Sequence, residues 1–180
     1  MTNLEELDVL RRGLDQAAAL LESVQEDELA EPTPCSEWSM AQLVDHLAAA
    51  PTTFAKMMRG EEIDWSAPPP HVGSERADAF RRGAQELLDT WRGAGDDAAA
   101  SAAWQCAEIA VHSYDLATAL GRPTADLDPV VAESGLGFMQ ASLTLENRGG
   151  AFGPEQPAPE GADAYQRIAA FAGRTVTPSR

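Results

Sequence analysis

Basic side chains are scarce in this sequence. Of 180 residues only 13 are Lys or Arg, with Lys56 the one lysine, against 29 Asp and Glu, for a formal net charge of -16. Such a surface repels phosphate backbones and anionic lipid, which argues against nucleic-acid and membrane partners. Long apolar runs are missing too: none approaches the roughly 18 residues that a membrane-spanning helix needs. The opening Met1-Thr2-Asn3-Leu4-Glu5-Glu6 has neither the basic nor the apolar part of a secretion signal, so a cytoplasmic location is expected. There are only two cysteines, Cys35 and Cys106, far apart in sequence and expected as reduced thiols rather than a disulfide. No period-2 strand pattern, phosphate loop, dinucleotide fingerprint or Ser–His–Asp motif is found, which removes several competing folds and chemistries. What remains is a 44% hydrophobic chain of a length that fits one domain with a full core.

Apolar residues recur at helical spacing. Leu7, Leu10, Leu14, Ala17 and Leu21 form one stripe, predicting a first helix over about residues 3–25. Glu31-Pro32-Thr33-Pro34-Cys35 cannot continue it. Ser39 and Gln42 form a capping box opening a second helix to about Arg59, with a kink or restart expected at Pro51. A proline-rich loop follows from Gly60 to Gly73, then a third helix with Ala77, Phe80, Ala84, Leu87 and Trp91 on one side, stopped by Gly93 and Gly95. The fourth helix is expected from about Ala98 to Leu120, ending at Gly121-Arg122-Pro123. Asp128-Pro129 opens a fifth, to about Asn147. A Gly/Pro-rich connection, Arg148 to Gly161, leads to a short helix near Ala164–Ala172 and a free tail. The pattern is all-α: a four-helix bundle with an additional short C-terminal helix, one domain over 1–180, in which 148–180 is an extension packed on the bundle.

Between residues 98 and 120 only Glu108 and Asp115 carry charge, so this helix is expected to be covered over most of its circumference. At about 100° per residue, Glu108, His112 and Asp115 fall within roughly 60° of one another. Ile109, Leu116 and Leu120 flank them on one side and Val111 on the other, so a polar stripe points inward. A buried carboxylate is costly unless it is protonated, paired or bound to a metal. Glu108 and His112, one turn apart, can serve one divalent ion; a buried Glu–His hydrogen-bonded pair or a solvent-filled groove serves equally well from this helix alone. His46 shifts the balance. It shares an apolar face with Leu43, Leu47 and Ala50, and the chain has only three histidines. His46, Glu108 and His112 would leave positions open for water or substrate, the arrangement of catalytic metal sites. Zinc suits two histidines and a glutamate best, with nickel, iron and manganese as alternatives.

Thr33-Pro34-Cys35-Ser36-Glu37-Trp38, followed by Leu43-Val44-Asp45-His46-Leu47, resembles the signature of the mycothiol-dependent maleylpyruvate isomerase N-terminal family, part of the DinB/YfiT-like metal-binding superfamily. Glu108-Ile109-Ala110-Val111-His112-Ser113-Tyr114-Asp115-Leu116 and Gly121-Arg122-Pro123 are similar to a second segment of that family, with Tyr114 where tryptophan is usual. Phe152-Gly153-Pro154 and Ile168-Ala169-Ala170-Phe171-Ala172-Gly173-Arg174 resemble its single-domain actinobacterial branch. The resemblance implies a DinB-like bundle, His46, Glu108 and His112 at the three metal-ligand positions, and mycothiol or a related low-molecular-weight thiol as cosubstrate. The full isomerase has a further C-terminal domain for which this chain leaves no room, so maleylpyruvate isomerisation is not carried over.

Around this core the remaining residues each have two readings. Asp115 either orients a ligand or anchors the helix structurally. Cys35 is a packed turn cysteine or a thiol activated beside a helix start. Trp104, one turn before Glu108, is the preferred pocket residue over Trp38. His71, after three prolines, is expected to be solvated, and Arg122, Arg148 and Arg174 either meet an anionic substrate or sit in solvent. The expectation is a metal-dependent enzyme acting on a small molecule, of transferase or isomerase type, with a homodimer allowed. The alternatives are a non-catalytic metal- or ligand-binding bundle and a hydrolase activating water.

Overall fold

A computed structural model describes residues 3–36, 38–64, 67–94, 102–144, 146–148 and 152–177. These form helices α1 (Asn3–Ser23), α2 (Met40–Met58), α3 (Arg76–Ala94), α4 (Ala102–Ala119), α5 (Pro129–Ser142) and α6 (Ala164–Phe171), with no strand among the described residues. The expected starts and stops at Ala98 and Gly95 lie outside the described residues.

The first four helices pack α1 on α3, α3 on α2, α2 on α4 and α4 on α1. Around the bundle the order is therefore α1, α3, α2, α4, and the segment joining α1 to α2 crosses a diagonal. The stripe on α1 accounts for its orientation: Leu10, Leu14, Ala17 and Leu21 are all essentially inaccessible. On α3, Phe80, Leu87 and Trp91 do the same. Helix α5 lies on α4 and α1, and α6 on α5 and α4. Helix α4 is thus covered by α1, α2, α5 and α6, which explains why its sequence is nearly free of charge. The covering is close. A Cβ on Gly135 would stand 2.6 Å from the Cα of Ala107, so only glycine lets α5 reach the α4 backbone.

Two expectations are corrected, and of the kink or restart expected at Pro51 the restart does not occur. Helix α2 runs through Pro51 without a restart; the proline loses one helical N–H, and its buried ring packs where α3 offers Gly83, whose missing side chain makes room for Pro51 and Thr52. Helix α5 ends at Ser142, not near Asn147. The Asn147 side chain accepts a hydrogen bond from Thr144 N (2.6 Å) and donates one to Ser142 O (2.9 Å), capping the helix that the sequence pattern continued through it. The tail after α6 is not free either. Val176 packs against the core and Arg174 reaches α4 through an ion pair.

Candidate metal centre

Helices α2 and α4 face each other at His46, Glu108 and His112. On α2 the start is fixed by the Ser39–Gln42 capping box. The preceding segment folds back so that Met40 N bonds Glu31 O and Ala41 N bonds Leu29 O, both at 3.0 Å. The Thr33 hydroxyl donates between Trp38 O (2.8 Å) and Cys35 O (2.9 Å), and Trp38 N donates to Cys35 O (3.0 Å). This closed loop is the local reason for the Thr-Pro-Cys-x-x-Trp pattern. It lays the Trp38 ring on both imidazoles, with centroids 4.4 Å from His46 and 5.4 Å from His112.

On α4 the one-turn spacing brings Glu108 and His112 together. His46 Nε2 lies 2.9 Å and His112 Nε2 3.2 Å from the same oxygen, Glu108 Oε1. One ligand atom from each of the three residues falls within 4.8 Å of the others, close enough to hold a metal ion. The donor set of two imidazole nitrogens and a carboxylate oxygen is one that divalent transition metals accept. The next layer fits as well. Asp115 Oδ2 lies 3.2 Å from His112 Nδ1, so Nδ1 is turned to Asp115 and Nε2 to Glu108. His112 is buried, whereas the side chains of His46 and Glu108 keep 26% and 21% of their surface. The cluster is therefore partly exposed on that side.

Electrostatics reinforce the arrangement. Burial alone would lower the His112 pKa, but the Glu108 and Asp115 carboxylates outweigh it and lift it to about 9. Burial alone would raise that of Glu108; the two histidines outweigh it and hold the carboxyl far below its usual range. Asp115 likewise stays low despite burial, because His112 and Arg174 bond it. Without a metal, the three groups form a charged hydrogen-bonded cluster.

The structure thus brings His46, Glu108, His112 and Asp115 together. Trp104 meets the ring of Phe54, at 4.9 Å between centroids, and Trp38 lies on the imidazoles. Asp115 touches both His112 and Arg174. Arg148 is buried and the Arg174 side chain nearly so, each held in contacts within the chain rather than lying in solvent. His71 is exposed, as expected, yet bonds Asp45 on α2 at 2.9 Å, a pairing that no spacing in the sequence signals. Neither cysteine is in a disulfide; burial pushes the Cys106 thiol up to about 12, which leaves it unreactive, and Cys35 is half-buried in the turn.

The fold and site define an all-helical bundle in which two facing helices bring together a His–His–Glu cluster that could hold a metal ion. Sequence comparison gives the family. Residues 10–117 match the family described as mycothiol maleylpyruvate isomerase N-terminal domain, and the chain belongs to it. It is also 29% identical to the uncharacterized protein Rv0738 of Mycobacterium tuberculosis (strain ATCC 25618 / H37Rv), over 92% of this chain and 96% of that one. The same identity and coverage hold for the uncharacterized protein MT0763 of Mycobacterium tuberculosis (strain CDC 1551 / Oshkosh). No solved structure matches the chain. No described helix is long and apolar enough to cross a membrane.

Proposed function

We propose that this protein is a metal-dependent enzyme acting on a small molecule, with His46, Glu108 and His112 holding one zinc ion and a mycothiol-type thiol as cosubstrate. The observation that carries the reading is the convergence of both Nε2 atoms on Glu108 Oε1, with Asp115 behind His112. Membership of a family associated with mycothiol supports the thiol. Residues 1–180 act as one metal-binding unit, with 148–180 as its packed extension. When bound, the ion supplies a positive charge that stabilises a thiolate or other anion at neutral pH. The chain does the rest. His46 and His112 present neutral nitrogens, Glu108 supplies one negative charge, Asp115 fixes the tautomer, and Trp38 shields the imidazoles on one side. The exposed edge of His46 and Glu108 is where the thiol enters. The reaction is a thiol transfer or isomerisation.

Elemental analysis of purified protein tests the first half, with about one zinc per chain expected for one three-ligand site. Calorimetric titration of the zinc-loaded protein with mycothiol tests the second: binding should release protons to buffer, and Glu108→Ala should abolish the signal. Zinc without thiol binding would reject the cosubstrate and leave the metal centre standing.

A further inference from the structure

The C-terminal segment reaches the cluster through Asp115. Asp115 is wholly buried, and its carboxylate is shared between His112 and Arg174. Arg174 donates from Nε to Oδ1 (3.2 Å) and from Nη2 to Oδ2 (2.8 Å), a two-point grip. Oδ2 is also the oxygen on His112 Nδ1. Arg174 lies well outside the residues 10–117 matched by the family.

We infer that Arg174 is a positioning residue for the metal centre: by gripping both oxygens of Asp115 it aims the carboxylate at His112 Nδ1, and so keeps His112 Nε2 turned toward the ion. The inference rests on the metal-centre reading above.

The fold spends several contacts on placing this one guanidinium. Arg174 N bonds Ala169 O at 2.9 Å, locking the turn after α6. That turn needs Gly173 at φ +94°, with the Gly153 backbone so close that a Cβ on Gly173 would stand 2.6 Å from its Cα. Arg148 ties the same two strands of chain together, donating to Phe171 O (2.6 Å) and Gly153 O (3.2 Å) with its guanidinium 4.3 Å from the centre of the Phe171 ring. A guanidinium is needed because its rigid fork matches both carboxylate oxygens, whereas an ammonium meets one point. Released from Arg174, the Asp115 carboxylate is free to rotate about its own axis, and the direction of the His112 ring is no longer specified. Loss of such outer partners typically weakens metal binding by about 10- to 100-fold.

The test is competitive zinc titration and cobalt absorption on wild type, Arg174→Lys and Arg174→Met, with helicity followed by circular dichroism. Arg174→Met should remain helical, bind zinc about 10- to 100-fold more weakly and show an altered cobalt spectrum, and Arg174→Lys should fall between. Because binding and tail docking are linked, zinc should also slow backbone hydrogen exchange at residues 172–174 of the wild-type protein. A helical Arg174→Met with wild-type zinc affinity and cobalt spectrum overturns the inference and spares the metal centre. If Arg174→Met does not fold, the wild-type exchange decides: no slowing on adding zinc overturns it. Wild-type protein that binds no zinc overturns the metal centre and this inference together.

Discussion

His112 meets two carboxylates at once, and the consequence is a competition between a proton and an ion. With no metal its imidazole titrates at about 9, so at neutral pH Nε2 carries a proton that an incoming cation must displace. Zinc affinity should therefore rise with pH, by about tenfold per unit for one displaced proton, and level off above pH 9. Titrations in buffered zinc between pH 6.5 and 9.5 check this; a flat profile would show that His112 is not the displaced group. Stability of the metal-free protein runs the other way. The folded pKa lies above the ordinary value of 6.5, so the stabilisation is complete below pH 6.5 and is lost as pH rises through 9. Urea melts in chelator should show that decline, and His112→Ala should remove it. The two histidines and Glu108 were legible in the sequence because polar groups on apolar faces are conspicuous at helical spacing. Trp38 and Arg174 were not: one acts through a loop that folds back on itself, the other from 59 residues away along the chain.

Helix α4 can be read from sequence as a covered element, but what covers it cannot. Its scarcity of charge says that most faces are buried; the identity of α1, α2, α5 and α6 as the covers follows only from tertiary packing. Gly135 shows how a single position decides this. Its backbone sits so near Ala107 that a methyl group cannot be accommodated without moving α5 off α4. Gly135→Ala should cost about 1–3 kcal/mol despite the better helix propensity of alanine, because overpacking here presses on backbone rather than on a flexible side chain. Denaturant melts measure the loss, and an unchanged or raised midpoint would show that the two helices can separate cheaply. Capping was the most legible feature of the elements. Ser39 and Asp128, read from the sequence as helix openers, each accept from a backbone N–H of the helix they open, and Asp163, not foreseen, does the same for α6. Ser39→Ala should cost about 1 kcal/mol, read by the same melts. The end of α5 was illegible because apolar spacing continues past Ser142, while the feature that stops it is one asparagine side chain folding back.

Across the whole molecule the formal charge is -16, so divalent cations gather at the surface whether or not a specific centre binds them. Metal content alone therefore does not separate the two kinds of binding; coupling to folding does. Only the native chain brings His46 from α2 against Glu108 and His112 from α4, so the specific ion binds the folded state and stabilises it. Ions loosely gathered by exposed carboxylates are screened within about 8 Å at physiological ionic strength and respond to salt. At a free zinc concentration of about 100 times Kd, the specific centre should add about 2.7 kcal/mol. For a chain of this size each kcal/mol moves the melting midpoint by about 2–4 °C, so a rise of about 5–10 °C is expected. The rise should survive 0.15 M salt, disappear with chelator, and be absent in His46→Ala, Glu108→Ala and His112→Ala. If these variants gained the same increment from zinc as the wild type, the stabilising ion would lie elsewhere on the acidic surface, and the cluster between α2 and α4 would be an ion-paired network rather than a metal centre.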